Sequence, residues 1–180
     1  MILKSKGYER NIGFQDEMRA GLIPCTRRSW SKVGTRTINY QQNKYEWLYV
    51  YNVVFPFTGK CFTMFMPTVN KFCINLFWRE FVKEYNEGEY LIVWDGAGFH
   101  QESDIEYDFL HFLKLPPYSP ELNPAETLWK KYREFIANKH FESLDDMELE
   151  LTKAFKYLEQ NPLEVKSQTL FHWLKEIAEN

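Results

Sequence analysis

Five consecutive residues, Tyr90-Leu91-Ile92-Val93-Trp94, are apolar on both faces of the strand they would form, and they end on an acid, Asp95. A strand without a polar face must be covered on both sides, so it belongs inside a sheet flanked by helices, not in a sheet with one wet face. The neighbouring segments fit that frame. Residues 11–17 read as a short first strand whose alternation sets Ile12, Phe14 and Asp16 on one face. Residues 46–57, rich in Trp, Tyr, Val and Phe, form a second strand, and residues 61–66 return after a Pro56-Phe57-Thr58-Gly59-Lys60 turn as its hairpin partner. A helix is expected over 70–86, with Phe72, Leu76, Phe77 and Phe81 at helical spacing, and a short strand over 112–115.

A further helix opens at Asn123-Pro124, with Asn123 as its cap and Leu128, Trp129, Tyr132, Phe135 and Ile136 as its buried stripe. Ser143 and Asp146 have capping-box spacing for a helix reaching about Gln160, and another follows Pro162. The order is strand, hairpin, helix, strand, strand, helices: an α/β chain with a central mixed sheet of five strands and helices around it.

Length and composition narrow the class. The 180 residues suit one ordinary domain, and 44% hydrophobic with 18% aromatic residues argues against disorder. No apolar run approaches the roughly 20 residues of a membrane span, and the first seven residues lack the apolar centre of a signal peptide. A soluble cytoplasmic protein without a membrane partner is expected. Cys25, Cys61 and Cys73 are widely spaced and read as reduced thiols, not as a zinc or disulfide framework. The net charge of −3 is unlike that of a typical nucleic-acid binder, but its distribution is uneven. No acid lies between Met18 and Tyr45, a stretch that carries Arg19, Arg27, Arg28, Lys32, Arg36 and Lys44, whereas acids crowd into 142–150.

Three acids stand at strand ends and helix starts: Asp16, Asp95 and Glu126. Carboxylates so placed can converge across one edge of an α/β sheet. Hard cations such as Mg²⁺ or Mn²⁺ prefer carboxylate oxygens, and two such ions about 3.5–4 Å apart serve both the attacking and the leaving oxygen of a phosphodiester. Each acid also has a plainer reading. Asp16 could terminate an edge strand, and Asp95 could precede a bend through Gly96-Ala97-Gly98. Asn123-x-x-Glu126 is itself a capping-box spacing. Glu17 is turned away from Asp16 by alternation, and Asp104, Glu106 and Asp108 read as solvated. His100 is either a phosphate or metal contact or a surface loop residue.

Arg27, Arg28, Trp30, Lys32 and Arg36 interleave cations with an aromatic residue, which suits phosphate contact and base stacking; the same stretch would also serve as a solvated loop. Lys130, Lys131 and Arg133 follow Glu126 by one to two turns and either carry DNA phosphates or cover an exposed helix face.

The run Leu115-Pro116-Pro117-Tyr118-Ser119-Pro120-Glu121-Leu122-Asn123-Pro124-Ala125-Glu126, followed by Leu128-Trp129-Lys130, closely resembles the third-acid motif of the IS630 family, part of the IS630/Tc1/mariner group of transposases. Phe14-Gln15-Asp16-Glu17 with Gly21-Leu22 resembles its first-acid motif, and Arg28-x-Trp30 with Gly34 the segment after it. Val93-Trp94-Asp95-Gly96-Ala97 with His100 resembles the second. From Asp95 to Glu126 is 31 positions (126 − 95), within the range such families show.

The resemblance implies an RNase H-like fold over the whole of 1–180, with 142–180 as a C-terminal helical extension. It implies a catalytic triad of Asp16, Asp95 and Glu126 holding two Mg²⁺ or Mn²⁺ ions. The implied activity is cleavage of double-stranded DNA at transposon terminal repeats and strand transfer to target DNA, by a homodimer in a prokaryotic cytoplasm that associates with the nucleoid when on DNA. Two departures stand out. Gly96 follows the second acid where Asn is usual, and the first strand starts within about a dozen residues of Met1, which leaves no room there for the helix-turn-helix module of such transposases. Two other readings stay open: a different RNase H-like nuclease acting on junctions or RNA–DNA hybrids, and an inactive relic that only binds DNA.

Overall fold

The computed structural model of the protein describes residues 8–23, 30–35, 44–96 and 107–179. Five strands form one sheet in the order β3-β2-β1-β4-β5, with β1 spanning Ile12–Gly21, β2 Trp47–Phe55, β3 Lys60–Met66, β4 Tyr90–Trp94 and β5 Leu110–Lys114. The β1–β2 and β2–β3 pairs are antiparallel, whereas β1–β4 and β4–β5 are parallel, so the sheet is mixed as expected. Among the described residues five α-helices surround it: α1 Lys71–Glu84, α2 Ala125–Ile136, α3 Leu144–Gln160, α4 Pro162–Thr169 and α5 His172–Glu179. None is long and apolar enough to cross a membrane, among the described residues.

Both faces of the sheet are covered, as the doubly apolar β4 requires. On one face Tyr51, Val53, Phe55, Ile92 and Trp94 pack against Phe77, Trp78 and Phe81 of α1. On the other, Phe14, Met18, Val50, Val54 and Val93 meet Leu128, Trp129 and Tyr132 of α2 and Met147, Leu151, Ala154 and Leu158 of α3. Burial of about a dozen large side chains to under 2% exposure, each contributing on the order of 1.5–3 kcal/mol, anchors β1 and β4 and therefore the acids they carry.

Several boundaries differ from expectation, for physical reasons. β1 runs on to Gly21 because β2 pairs with it the whole way, to Gly21↔Trp47. In that extension Met18 and Ala20 enter the core while the Arg19 guanidinium stacks 4.3 Å above the Trp47 ring. In α1 the Asn70 side chain accepts from the Cys73 N–H at 2.8 Å, and this start turns Cys73, Ile74, Phe77, Trp78 and Phe81 inward. Phe72, which the sequence sets at helical spacing with Leu76, Phe77 and Phe81, is 75% exposed. The expected capping box of α3 forms, with Ser143 and Asp146 bonded to each other's backbone N–H. After Pro162 there are two short helices, since Leu170 leaves helical geometry at ψ 80. Gly59, at φ +74, lets the β2–β3 turn approach α4: a Cβ there would lie 1.9 Å from the Pro162 carbonyl oxygen.

Candidate active site

Register sets the first two acids. The parallel ladder joins Ile12↔Leu91, Gly13↔Ile92 and Phe14↔Val93, an offset of 79 positions (91 − 12). Continued two residues, that offset sets Asp16 opposite Asp95 on adjacent strands. Alternation then gives both acids the face of Phe14 and Val93, the α2 side. The ladder ends at Phe14↔Val93, so the two acids lie where the strands stop pairing. β4 closes at Trp94, and Asp95 is exposed just beyond it.

Glu126 arrives from α2, and its position depends on Asn123. The Asn123 side chain accepts from the Ala125 N–H at 3.1 Å and donates through Nδ2 to the Gln15 carbonyl at 3.1 Å. One side chain therefore caps the helix start and pins it to β1 at the residue before Asp16. The capping-box alternative for Glu126 needs the Asn123 backbone N–H, but that group donates to the Pro120 carbonyl at 3.0 Å. Glu126 is exposed on the first turn of α2 and lines a cleft of about 320 Å³ together with Asp95, Gly96 and the 115–120 loop.

Asp16 is the half-buried member, whereas Asp95 and Glu126 are exposed. The Trp129 indole N–H donates to its Oδ2 at 2.6 Å and the Glu17 backbone N–H to its Oδ1 at 2.9 Å. Burial pushes its carboxyl up to about 7, the Trp129 bond opposes this, and the nearby Glu126 and Glu17 carboxylates add to the rise. Asp16 and Glu126 therefore sense each other's charge, and Asp95 and Glu126 share a cleft. Among the described residues no three His, Cys, Asp or Glu side chains are gathered closely enough to hold a metal ion. Glu126 is the link between the other two acids, lining a cleft with Asp95 and lying within electrostatic reach of Asp16, without a closed cage.

The raised Asp16 value has a definite sign. Folded-state Asp16 holds a proton between the ordinary value of 3.8 and about 7, where the unfolded chain has lost it. Its contribution to stability therefore falls as pH rises through that window. Thermal melts in chelator should show wild type losing stability relative to Asp16→Asn across those pH values. Parallel pH profiles would contradict the burial of a protonatable Asp16.

The remaining sequence candidates divide. Glu126, Lys130 and Arg133 follow i, i+4, i+7 spacing and are all exposed, so they share one outward stripe of α2. Lys131 turns elsewhere: its Nζ lies 2.9 Å from Glu164 Oε1 and 5.2 Å from the Tyr157 ring centroid. It joins α2 to α4 and is not part of that stripe. Trp30 and Lys32 are exposed, with the Lys32 carbonyl accepting from the Thr35 N–H at 3.0 Å. Arg27, Arg28, Arg36 and His100 lie outside the described residues. Glu17 accepts from the Gln15 side chain at 2.7 Å on the α1 face, as alternation predicts.

Two residues of the site escaped sequence reasoning. Trp129 reads from spacing only as part of a buried stripe, and Asn123 only as a cap. Their bonds to Asp16 and Gln15 join positions 113 and 108 residues apart, which no local pattern reveals.

A model of the DDE superfamily endonucleases matches residues 11–148. The chain belongs to the DDE superfamily endonucleases. A relative of this DDE domain, the uncharacterized protein y4pE/y4sA of Sinorhizobium fredii, is 28% identical over 130 residues, covering 71% of this chain and 96% of its own. Among solved structures, the Mos1 mariner paired end complex with Mn aligns with a TM-score of 0.67 at 15% identity, over 97% of this chain and 58% of that one. The catalytic core domain of BIV integrase aligns at 0.51 and 12% identity, over 89% of this chain and 96% of that one. The fold of this DDE domain is thus the RNase H-like fold of transposase and integrase catalytic domains, and the chain spans somewhat over half the length of the Mos1 chain it matches.

Proposed function

We propose that the chain is the catalytic domain of an IS630-type transposase that cuts and joins double-stranded DNA at the terminal repeats of an insertion sequence. The observation that carries this reading is the common placement of Asp16, Asp95 and Glu126: one central strand, its parallel neighbour and a helix pinned to that strand by Asn123. These residues would hold two Mg²⁺ or Mn²⁺ ions. Three carboxylates, one of them half-buried and pushed up to about 7 beside another, would give an oxygen donor set suited to hard cations. Bound there, the ions would lower the pKa of the attacking water or 3′-hydroxyl and screen the charge on the leaving oxygen.

The chain's own groups supply orientation and phosphate contact. Trp129 and the Glu17 N–H fix the two oxygens of Asp16. Lys130 and Arg133, on the Glu126 stripe, would take the phosphates flanking the scissile one. Trp30 and Lys32, with Arg27, Arg28, Arg36 and His100 on sequence grounds, would extend that contact along the duplex, as would Lys131 in a smaller role given its bond to Glu164. The DDE family membership supports endonuclease chemistry, and the Mos1 paired end complex with Mn supports DNA ends and a divalent metal; a homodimer on paired ends belongs to this reading as well. The cellular setting in this reading is a prokaryotic cytoplasm, on nucleoid DNA.

Nicking of duplex carrying the element's terminal repeat, dependent on Mg²⁺ or Mn²⁺ and lost in chelator, is the expected result. Cleavage that proceeds in chelator would exclude the metal mechanism, and preference for four-way junctions or RNA–DNA hybrids over terminal repeats would exclude transposition.

A further inference from the structure

We propose that Tyr118 is a stacking post for an unpaired nucleobase of the DNA strand whose phosphate lies at the acids. This rests on the DNA-cleavage reading above. Tyr118 stands on the 115–120 loop, in the same cleft as Asp95 and Glu126. The residue is 101% exposed and its backbone has φ 59. Positive φ is ordinary for Gly or Asn at this place in a turn after proline, and it costs a bulky residue free energy. An exposed ring on a strained backbone carries two costs that neither the core nor the turn requires. Outliers of this kind cluster at ligand clamps.

The loop is also built to hold its shape. Its first residue is tied to the end of β4 through the Leu115 N–H, which donates to the Trp94 carbonyl at 2.8 Å. Its last turn is closed by the Leu122 N–H to Ser119 and the Asn123 N–H to Pro120, at 3.1 and 3.0 Å. Pro116, Pro117 and Pro120 fix φ at three of the five other loop positions. An aromatic ring on such a frame, beside acids meant for a phosphodiester, offers a π-face with little ordering left to do on binding. Every base has a matching π-face, so the contact is sequence-tolerant. A base in a continuous duplex is already stacked and cannot use the post; one unstacked next to the cut can.

The test compares Tyr118→Ala, Tyr118→Phe and Tyr118→Gly with wild type by fluorescence anisotropy. The non-cleaving cation Ca²⁺ is present, and the probes are DNA with an unpaired base at a strand end and the same DNA fully paired. For unpaired-base DNA, Tyr118→Ala is expected to weaken binding by roughly 5- to 150-fold, with Tyr118→Phe within about twofold of wild type because stacking needs only the ring. Paired DNA should respond little to any of the three. Tyr118→Gly should lose the binding as Ala does, yet melt at or above the wild-type temperature, because glycine relieves the positive φ. Equal binding by wild type and Tyr118→Ala, equal losses for Phe and Ala, or no wild-type preference for unpaired-base DNA would each overturn the proposal. Failure of the underlying reading looks different: cleavage would survive Asp95→Asn and Glu126→Gln whatever Tyr118 does.

Discussion

Replacing Glu126 with Gln, or Asp95 with Asn, should lower metal-dependent DNA nicking by about a thousandfold or more while leaving the fold intact. Both side chains are exposed on the rim of the cleft, so neither substitution opens a cavity or buries an unmatched group. Surface changes of that kind cost within about 0.5 kcal/mol. The amide keeps the shape of the carboxylate but removes the charge that a hard cation requires. Loss of a cation's charge stabilisation is worth several kcal/mol, and each ~1.36 kcal/mol is tenfold in rate. The measurement is the initial rate of nicking with Mn²⁺ for each variant, beside its melting temperature. Undiminished rates in both variants would remove Asp95 and Glu126 from the chemistry.

The second large effect concerns Trp129 and separates its two roles. The side chain is 1% exposed and its indole N–H donates to Asp16 at 2.6 Å. Trp129→Ala should destabilise the protein by about 3–5 kcal/mol, the usual cost of deleting a buried aromatic ring. Trp129→Phe keeps most of the ring and loses the donor, so it isolates the bond to the carboxylate. A bond to a charged group contributes about 1.5–3 kcal/mol, and removing the group that orients a metal ligand typically costs about 10–100-fold in metal affinity. Trp129→Phe should therefore fold, melt somewhat lower, and bind Mn²⁺ at least tenfold more weakly. If it binds Mn²⁺ as wild type does, Trp129 only packs.

Much of the frame was legible because it follows from local pattern. The doubly apolar β4 predicted a sheet covered on both faces, and the Ser143–Asp146 spacing predicted a cap that forms bond for bond. Strand ends were less legible because pairing decides them: the first strand reads as ending at Glu17 until β2 is laid beside Met18–Gly21. The acids differ in the same way. Asp95 is visible from its own strand. Asp16 depends on a parallel register with β4, which lies 79 positions away and leaves no local trace. Glu126 had a competing local explanation, and only the use of the Asn123 N–H by Pro120 removes it. Lys131 shows the limit of reading a charge run as one feature, since one helical step carries it from the Glu126 stripe to Glu164. The positive φ of Tyr118 is backbone information that a motif does not encode.

Asp16, Asp95 and Glu126 are expected to act together on a divalent cation. Isothermal titration of the wild-type chain with Mn²⁺, alongside Asp16→Asn, Asp95→Asn and Glu126→Gln, tests it most directly. Binding by wild type that is weakened by each of the three substitutions is the predicted result. No binding by wild type, or binding unaffected by all three, would contradict it.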